Sequence, residues 1–335
     1  METKTKDLWV FIETDEEGAA KPVGIELLNP GGELAAKQGG KLVAVIIGDG
    51  VESAIEAANA HGADEIIVVE GPEYRQFTTD AYDQALCHLI TKYGPTTVMV
   101  GATDTGRDFA PRVACRLQTG LTADCTELGI DEETGNVAWT RPTFGGNLLA
   151  TILCPDSRPQ MGTVRPGVFK ATDPVEGKAT VIREEFHVDP ATIRTQLIDF
   201  FPEENAEGKD LEGAEFIVSG GRGTHGEKGF ALLRELADVL DASMGASRAA
   251  VESGWAVPAR QVGQTGKSVG PKVYIAVGIS GAIQHMAGIS GSDRIIAINS
   301  DPNAPIFKAC DYGIVGDMFE VVPALTAAIK AKKEA

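Results

Sequence analysis

The sequence predicts an α/β protein of two domains, each a mostly parallel sheet with flanking helices. The chain has 335 residues, and at about 150 residues per domain this length is enough for two. Short apolar runs alternate with segments of helical periodicity, which is typical of parallel sheets covered on both faces. A polar, acidic stretch at 202–212 interrupts this alternation, which then starts again. We therefore expect one domain over 1–201, a linker over 202–212 and a second domain over 213–335.

The first domain combines apolar runs of strand length with amphipathic helical segments. Strands are predicted at 8–13, 41–48, 65–70 and 97–101, and helices at 51–61, 78–93 and 107–117. From residue 124 the helical periodicity fades, and β-rich runs at 147–153 and 180–188 lie between proline turns. These runs predict added antiparallel structure that completes the domain.

The second domain repeats the alternation on a smaller scale. Strands are predicted at 214–219, 272–277 and 294–299, and helices at 227–240, 281–287 and 319–332. The segment 242–248 is predicted as a further strand, and it ends in Ser247 and Arg248.

Charge and cysteine usage restrict the function class. The net charge of −18 opposes binding to a phosphate backbone, so we expect no nucleic-acid partner. The five cysteines are scattered without a C-x-x-C pair, which argues against a disulfide framework, a zinc site or an iron–sulfur cluster. A strand starting near residue 8 leaves no room for a signal peptide, and the uncharged stretch 273–292 is too polar for a membrane span. We expect a cytoplasmic protein with reduced thiols and no metal site.

A glycine-rich loop opens the second domain. Gly221, Gly223 and Gly226 fit G-x-G-x-x-G between a predicted strand and a predicted helix. This context favours a pyrophosphate held by the loop backbone and the helix N-terminus. The acidic residue that a standard NAD site places at the end of the next strand is absent. The loop therefore predicts a phosphate-bearing ligand, with a purely structural strand–helix turn as the alternative.

Two further loops extend this candidate site. The turn at 278–282 joins a strand to a short helix, and Ser280 and its neighbouring amides suit a phosphate. The polar loop at 261–267 lies between the two glycine-containing turns in the sequence. One long ligand with a diphosphate and a hydrogen-bonding ring would use all three loops. The second domain is therefore predicted to be a Rossmann-like dinucleotide-binding domain.

In this order the motifs resemble the α subunit of electron-transfer flavoproteins. The matching segments are 221–223, 247–251, 261–267, 274–285, Asn299, 301–302, 304–307 and 311–313. The resemblance covers most of 214–325, with weaker matches at 111–114 and 164–166 in the first domain. It implies one FAD in the second domain, at an interface with an electron-transfer flavoprotein β subunit in a heterodimer.

The resemblance also implies which residues bind FAD. The ring is expected near Arg248, Gln264, Thr265 and His285, the diphosphate near Arg222, Ser247, Ser280, Gly281 and Ala282, and the adenosine end near Asn299 and Asp317. Val262, Gly263, Ile283 and Gln284 complete the predicted cofactor-binding set. A guanidinium at Arg248 would offset the negative charge of a reduced flavin. No residue is expected to act as a covalent catalyst or a metal ligand.

The implied function is that of an electron carrier rather than a substrate-transforming enzyme. Some family members relay electrons from acyl-CoA dehydrogenases, here of the butyryl-CoA type. Others, in anaerobes, bifurcate electrons from NADH between a crotonyl-CoA-type acceptor and ferredoxin or flavodoxin, and only as a complex. The stretch 158–169 is closer to the anaerobe type. Two alternatives remain open from the residues alone, an NAD(P)-linked oxidoreductase of the Rossmann type and a binding module without redox chemistry.

Overall fold

The chain folds into two compact units, Met1–Phe200 and Phe201–Ala335. A computed structural model describes residues 3–143, 148–195, 197–198, 211 and 213–333. The predicted linker at 202–212 lies outside the described residues except for Leu211. The domain boundaries given above therefore stay a prediction.

Unit 1 is built on one large parallel sheet. Its strands are β1 (Leu8–Ile12), β2 (Leu42–Gly48), β3 (Glu65–Glu70), β4 (Thr97–Gly101), β5 (Leu121–Cys125), β6 (Glu127–Ile130), β7 (Val137–Thr143), β8 (Leu148–Ile152), β9 (Gln160–Val164) and β10 (Thr180–Glu184). Its helices are α1 (Pro22–Gln38), α2 (Glu52–Ala60), α3 (Thr79–Tyr93) and α4 (Asp104–Arg116). Seven strands form the parallel sheet in the order β10-β3-β2-β1-β4-β9-β5, and β6-β7-β8 form a separate antiparallel sheet.

Helices cover both faces of this sheet, which is why its strands are continuous apolar runs. In β1, Leu8, Val10 and Ile12 pack in one cluster together with side chains of α1 and α2. Trp9 and Phe11 point to the opposite face and pack with α3 and α4. The alternation of side chains along the strand thus separates two apolar cores.

Two features of unit 1 differ from the sequence prediction. Helix α1 was not predicted, because it contains Pro30 and Gly31, which disfavour helices. Gly31 faces the sheet, where an added Cβ would lie 3.1 Å from a methyl group of Val10, so close packing of α1 on the sheet outweighs the poor propensity. The antiparallel interpretation of 180–188 is wrong, since β10 pairs parallel to β3 after a long crossover. Within the described residues, the predicted antiparallel addition consists of β6, β7 and β8.

Unit 2 is a smaller parallel sheet with helices. Its strands are β11 (Phe216–Gly220), β12 (Ser243–Ala246), β13 (Val273–Val277), β14 (Ile295–Asn299) and β15 (Tyr312–Val315), and its helices are α5 (Glu227–Leu240), α6 (Arg248–Glu252), α7 (Ile283–Ala287) and α8 (Met318–Lys333). The strand order is β12-β11-β13-β14-β15. Strand β15 was not predicted because it lies at the sheet edge and all four of its residues are exposed. Both units thus confirm the predicted fold class of parallel sheets with flanking helices.

Candidate functional site

The predicted cofactor-binding residues converge on one edge of the unit 2 sheet. Because the strands are parallel, their carboxyl ends lie together, and Gly220, Val277 and Ala246 are paired in register at this edge. The predicted residues follow these strand ends: Arg222 after β11, Ser247 and Arg248 after β12, residues 280–285 after β13, Asn299 as the last residue of β14, and Asp317 after β15. The fold therefore collects residues that are up to about a hundred positions apart.

The centre of this edge is a topological switch point. From β11 the chain moves to β12 on one side, whereas β13, β14 and β15 lie on the other. Parallel α/β sheets bind ligands outside the carboxyl ends at such a point. The loops at 221–226 and 278–282 border the switch point, as a dinucleotide site requires.

The glycines of these two loops allow the loops to pack against each other. The Gly221 N–H donates to Val277 O at 2.8 Å, and the Gly223 N–H donates to Gly278 O at 2.9 Å. A Cβ at Gly223 would lie 2.8 Å from the Gly278 Cα, so no larger residue fits without a shift. Gly221 and Gly223 therefore have a structural role in joining the two loops, and the pyrophosphate role of the first loop stays a prediction.

The first loop contains a short 3-10 turn (Arg222–Thr224), and α5 begins after it at Glu227. Glu227 places a carboxylate in the first turn of α5, and it pairs with Arg234 at 2.7 Å. A carboxylate at a helix N-terminus interacts with the positive end of the helix dipole, which would otherwise attract an anionic ligand. The exposed Arg222 side chain is therefore the main positive group that this loop offers to a phosphate.

The second strand end carries both a cap and a cation. The Ser247 hydroxyl accepts a hydrogen bond from the Ala250 N–H at 3.4 Å and so caps α6. Arg248 follows, with its side chain 67 % exposed, and its Nε donates to Glu252 at 2.8 Å. Sequence reasoning missed Glu252, although the spacing of four residues in a helix is a readable signal for such a pair.

The polar loop at 261–267 meets the turn after β13. The Gln264 N–H donates to Gln284 O at 2.8 Å, and the Val262 N–H donates to Ala246 O at 2.9 Å. The Gln261 amide donates to the Thr265 hydroxyl at 3.0 Å, which fixes the end of the loop. The structure thus brings the predicted ring-binding residues of this loop beside those of the 280–285 turn.

Hydrogen bonds from the end of β14 and from the segment after it fix the turn that leads into residues 280–285. The Ile306 N–H donates to Ser280 O at 3.0 Å, and the Asn299 amide donates to Ile279 O at 2.9 Å. Gly281 has a φ of +84°, and a Cβ there would overlap the Ile306 backbone. Helix α7 after this turn has only five residues, so its dipole is small. The anion-binding capacity of the turn therefore rests on its amides and the exposed Ser280 hydroxyl.

Asn299 and Asp317 both have structural partners. The Asn299 Oδ1 accepts from the Asp301 N–H at 3.0 Å, and the Asp317 carboxylate accepts from the Phe319 N–H at 2.9 Å near the start of α8. Their backbones are linked through Gly316, whose N–H donates to Asn299 O at 3.1 Å. The two side chains thus lie at adjoining strand ends, as a shared binding role requires.

His285 is buried and makes a hydrogen bond that the sequence did not predict. Its Nε2 lies 3.0 Å from the hydroxyl of Tyr274, which is fully buried in β13. Burial lowers the pKa of His285 to about 4, and the nearby Val262 carbonyl opposes this shift. The His285 Nδ1 is buried and has no hydrogen-bond partner among the described residues. Nothing in the sequence distinguishes Tyr274 from other residues of a buried strand.

The groups at this edge fit a dinucleotide. Two exposed guanidinium groups, Arg222 and Arg248, suit a diphosphate and an electron-rich ring. The unpartnered Nδ1 of His285 is a buried polar atom that a hydrogen-bonding ligand would satisfy. In the described residues, no group of three or more histidine, cysteine, aspartate or glutamate side chains could hold a metal ion. None of the described helices has the length and hydropathy needed to cross a membrane.

Comparisons with known proteins agree with this geometry. Residues 8–190 match the family model of the electron transfer flavoprotein domain. Residues 210–290 match the electron transfer flavoprotein FAD-binding domain. FAD is therefore the cofactor of unit 2.

Full-length relatives carry the same assignment. The electron transfer flavoprotein subunit alpha of Thermoanaerobacterium thermosaccharolyticum is 51 % identical, over 98 % of this chain and 99 % of its own. The electron transfer flavoprotein subunit alpha of Megasphaera elsdenii is 48 % identical, over 98 % of this chain and 97 % of its own. The acryloyl-CoA reductase electron transfer subunit beta of Anaerotignum propionicum is 44 % identical, over 98 % of this chain and 97 % of its own. None of these matches favours the NAD(P)-linked oxidoreductase. The chain belongs to the electron transfer flavoprotein family, as an α subunit.

Proposed function

We propose that the carboxyl edge of the unit 2 sheet is where this α subunit holds FAD. The observation that carries the proposal is the convergence of the predicted residues from five parallel strand ends on one switch point. When bound, FAD supplies a ring that accepts electrons and gives them up again. The side chains of this chain bind and orient that group and set its electrostatic surroundings.

The diphosphate is assigned to the two loops beside the switch point. Arg222 supplies a positive charge, and Ser247, Ser280 and the amides of Gly281 and Ala282 supply hydrogen-bond donors. Ser247 already accepts a hydrogen bond as the cap of α6, so its hydroxyl proton is free to donate. The adenosine end is assigned to Asn299 and Asp317 at the adjoining strand ends.

The ring is assigned to Arg248, Gln264, Thr265 and His285. Because burial lowers the pKa of His285 to about 4, its imidazole is neutral at pH 7. His285 therefore offers a hydrogen bond but no charge, and Arg248 is the cation of this group. The exposed Gln264 and Thr265 side chains offer further donors and acceptors.

The proposed dehydrogenase partner is an acyl-CoA dehydrogenase of the butyryl-CoA type. Alpha subunits of this family pair with a β subunit and with dehydrogenases. The name of the Anaerotignum relative, an acryloyl-CoA reductase electron transfer subunit, supports an acyl-CoA-type partner. We place the protein in the cytoplasm, because all five of its cysteines are free.

We favour bifurcation of electrons from NADH between a crotonyl-CoA-type acceptor and ferredoxin or flavodoxin over simple relay, because the stretch 158–169 is closer to the anaerobe type. Counting nucleotides in the co-expressed heterodimer tests this choice. Two FAD per heterodimer support bifurcation, whereas one FAD together with one AMP supports simple relay and contradicts bifurcation.

A pair of charge-removing variants tests the site itself. We expect Arg222→Ala in the heterodimer to weaken FAD binding about tenfold, because a hydrogen bond to a charged group contributes on the order of 1.5 kcal/mol. Lys272→Ala is the matched control, since Lys272 precedes β13 at the amino edge of the same sheet and pairs with Glu215 at 2.7 Å. Equal FAD affinity in the two variants would contradict the assignment of the diphosphate to the carboxyl edge.

A further inference from the structure

A buried tyrosine and histidine form a hydrogen bond beneath the proposed FAD site. Tyr274, the second residue of β13, packs in an apolar cluster that includes Val262 and Ile289. Its hydroxyl lies 3.0 Å from His285 Nε2, and neither residue is more than 6 % exposed. In such surroundings each polar atom needs a partner, because water cannot replace one.

The Tyr274 hydroxyl determines which ring nitrogen of His285 carries the proton. It lies 3.0 Å from Nε2, whereas Nδ1 is buried without a hydrogen-bond partner among the described residues. A neutral imidazole has one bare nitrogen that accepts a hydrogen bond, and a phenol hydroxyl is a stronger donor than it is an acceptor. The neutral ring therefore carries its proton on Nδ1, and the bare Nε2 accepts a hydrogen bond from Tyr274.

The properties of Tyr274 agree with this direction. Burial raises the pKa of the Tyr274 phenol well above its usual range, so it keeps its proton and remains a donor. The Ser219 hydroxyl lies nearby and is fully buried, without a well-aligned hydrogen bond of its own. A bare imidazole nitrogen is a stronger acceptor than a hydroxyl, so the Tyr274 hydroxyl donates to His285 Nε2 rather than to Ser219.

We propose that Tyr274 is a positioning residue: by donating to Nε2 it fixes the tautomer and the ring orientation of His285, so that the Nδ1 proton is the one presented to the flavin site. The part of this inference that concerns the flavin rests on the proposed placement of FAD. The tautomer itself does not rest on it. Tyr274 touches no ligand in this arrangement and acts only through His285.

The test uses the full chain in its heterodimer, labelled with 15N at histidine. Ring 15N shifts distinguish a protonated from a bare nitrogen, and His285→Asn identifies the His285 signals among those of the five histidines. In the wild type we expect one tautomer, with the proton on Nδ1. In Tyr274→Phe we expect the other tautomer to rise from under about a tenth to a third or more, because one hydrogen bond biases such an equilibrium several-fold.

Tyr74→Phe is the matched control. Tyr74 is also buried, at 1 % exposure, and its hydroxyl donates to Phe186 O at 2.9 Å within unit 1. We expect this variant to keep the wild-type His285 signals. It therefore separates loss of the specific hydrogen bond from the general effect of removing a buried hydroxyl.

Separate results would overturn the two parts. A proton on Nε2 in the wild type, or an unchanged tautomer in Tyr274→Phe, would overturn the positioning role, and the wild-type measurement stands even if the variant fails to fold. FAD removal and restoration should shift the Nδ1 signal more than the Nε2 signal. If neither ring signal responds to FAD, the proposed placement of the flavin is wrong, whatever the tautomer.

Discussion

Arg248 is the residue whose charge most directly tests how this chain stabilises a reduced flavin. We expect Arg248→Ala to keep FAD, because the residues assigned to the diphosphate are untouched, and to lower its reduction potential. A reduced flavin carries negative charge, and the net charge of the chain is −18, so removal of a local cation disfavours the reduced form. The reduction potential of Arg248→Lys should lie between those of the wild type and Arg248→Ala, since lysine keeps the charge but lacks the planar guanidinium.

The size of the effect follows from the exposure of Arg248 and its neighbour. The Arg248 Nε lies 2.8 Å from the Glu252 Oε1, and the two side chains are 67 % and 60 % exposed. Two charges at this distance in water interact by about 1.5 kcal/mol, and exposed pairs at this helical spacing contribute only about 0.5 kcal/mol in practice. Breaking the ion pair with Glu252 so that Arg248 can turn toward a ligand therefore costs little free energy. We expect Arg248→Ala to cost the reduced form about 1 kcal/mol, which is roughly a fivefold change in the redox equilibrium.

Glu252→Gln supplies a prediction of the opposite sign. Glu252 partly neutralises Arg248, so removing its charge should raise the potential by the equivalent of about 0.5 kcal/mol, or roughly twofold. The assay is stepwise reduction of the heterodimer against a reference dye at constant ionic strength, with Lys272→Ala as the control at the opposite sheet edge. A wild-type potential in Arg248→Ala, or a lower potential in Glu252→Gln, would refute the assignment of Arg248 as the counter-charge.

Two further predictions concern stability and the turn at Gly281. Hydrogen bonds from Arg194 hold the pKa of the buried Asp80 carboxyl at about 2, so Asp80→Asn should destabilise unit 1 by about 1 to 2 kcal/mol at pH 7, after discounting for the exposed arginine. Because the folded pKa is depressed, this difference should shrink as pH falls below about 4 in urea titrations, and a pH-independent difference would contradict the ion-pair account. Gly281→Ala should lose FAD occupancy because its Cβ would overlap the Ile306 backbone, whereas Gly254→Ala, at a φ of +74° with nothing within 4 Å, should keep it. Full FAD absorbance in Gly281→Ala would show that the turn tolerates the added carbon.

Elements with strong hydrophobic contrast could be predicted from the sequence almost to the residue. Strands β3 and β4 and helix α5 have the predicted bounds, because each is an apolar run or an amphipathic repeat with clear ends. Helix α1 could not be predicted, since its stability comes from packing on the sheet and not from local propensity. Strand β15 has no buried side chain and therefore gives no signal of its own.

The site was predictable to the level of its loops but not of its internal contacts. The resemblance to the flavoprotein family implied that Ser247, Ser280 and Asn299 bind one ligand, and the parallel strands bring them together because their carboxyl ends share one edge. The pairing of Tyr274 with His285 depends on the register of a strand against a helix eleven residues later, and no local pattern encodes it. The packing of Gly223 against Gly278 has the same origin, because two loops distant in sequence meet only after the sheet forms.

The two groups assigned to the flavin ring differ in how their surroundings control them. His285 is buried and neutral, so its contribution is a fixed hydrogen bond that changes little with salt or with the binding of another protein. Arg248 is exposed, so its interaction with any nearby charge is weakened by water and by ions. If another subunit covers this edge, the local dielectric constant falls and the same charge acts more strongly. The hydrogen bond of His285 would then be set by the fold of the α chain alone, whereas the electrostatic contribution of Arg248 would be set by the partner bound at that moment.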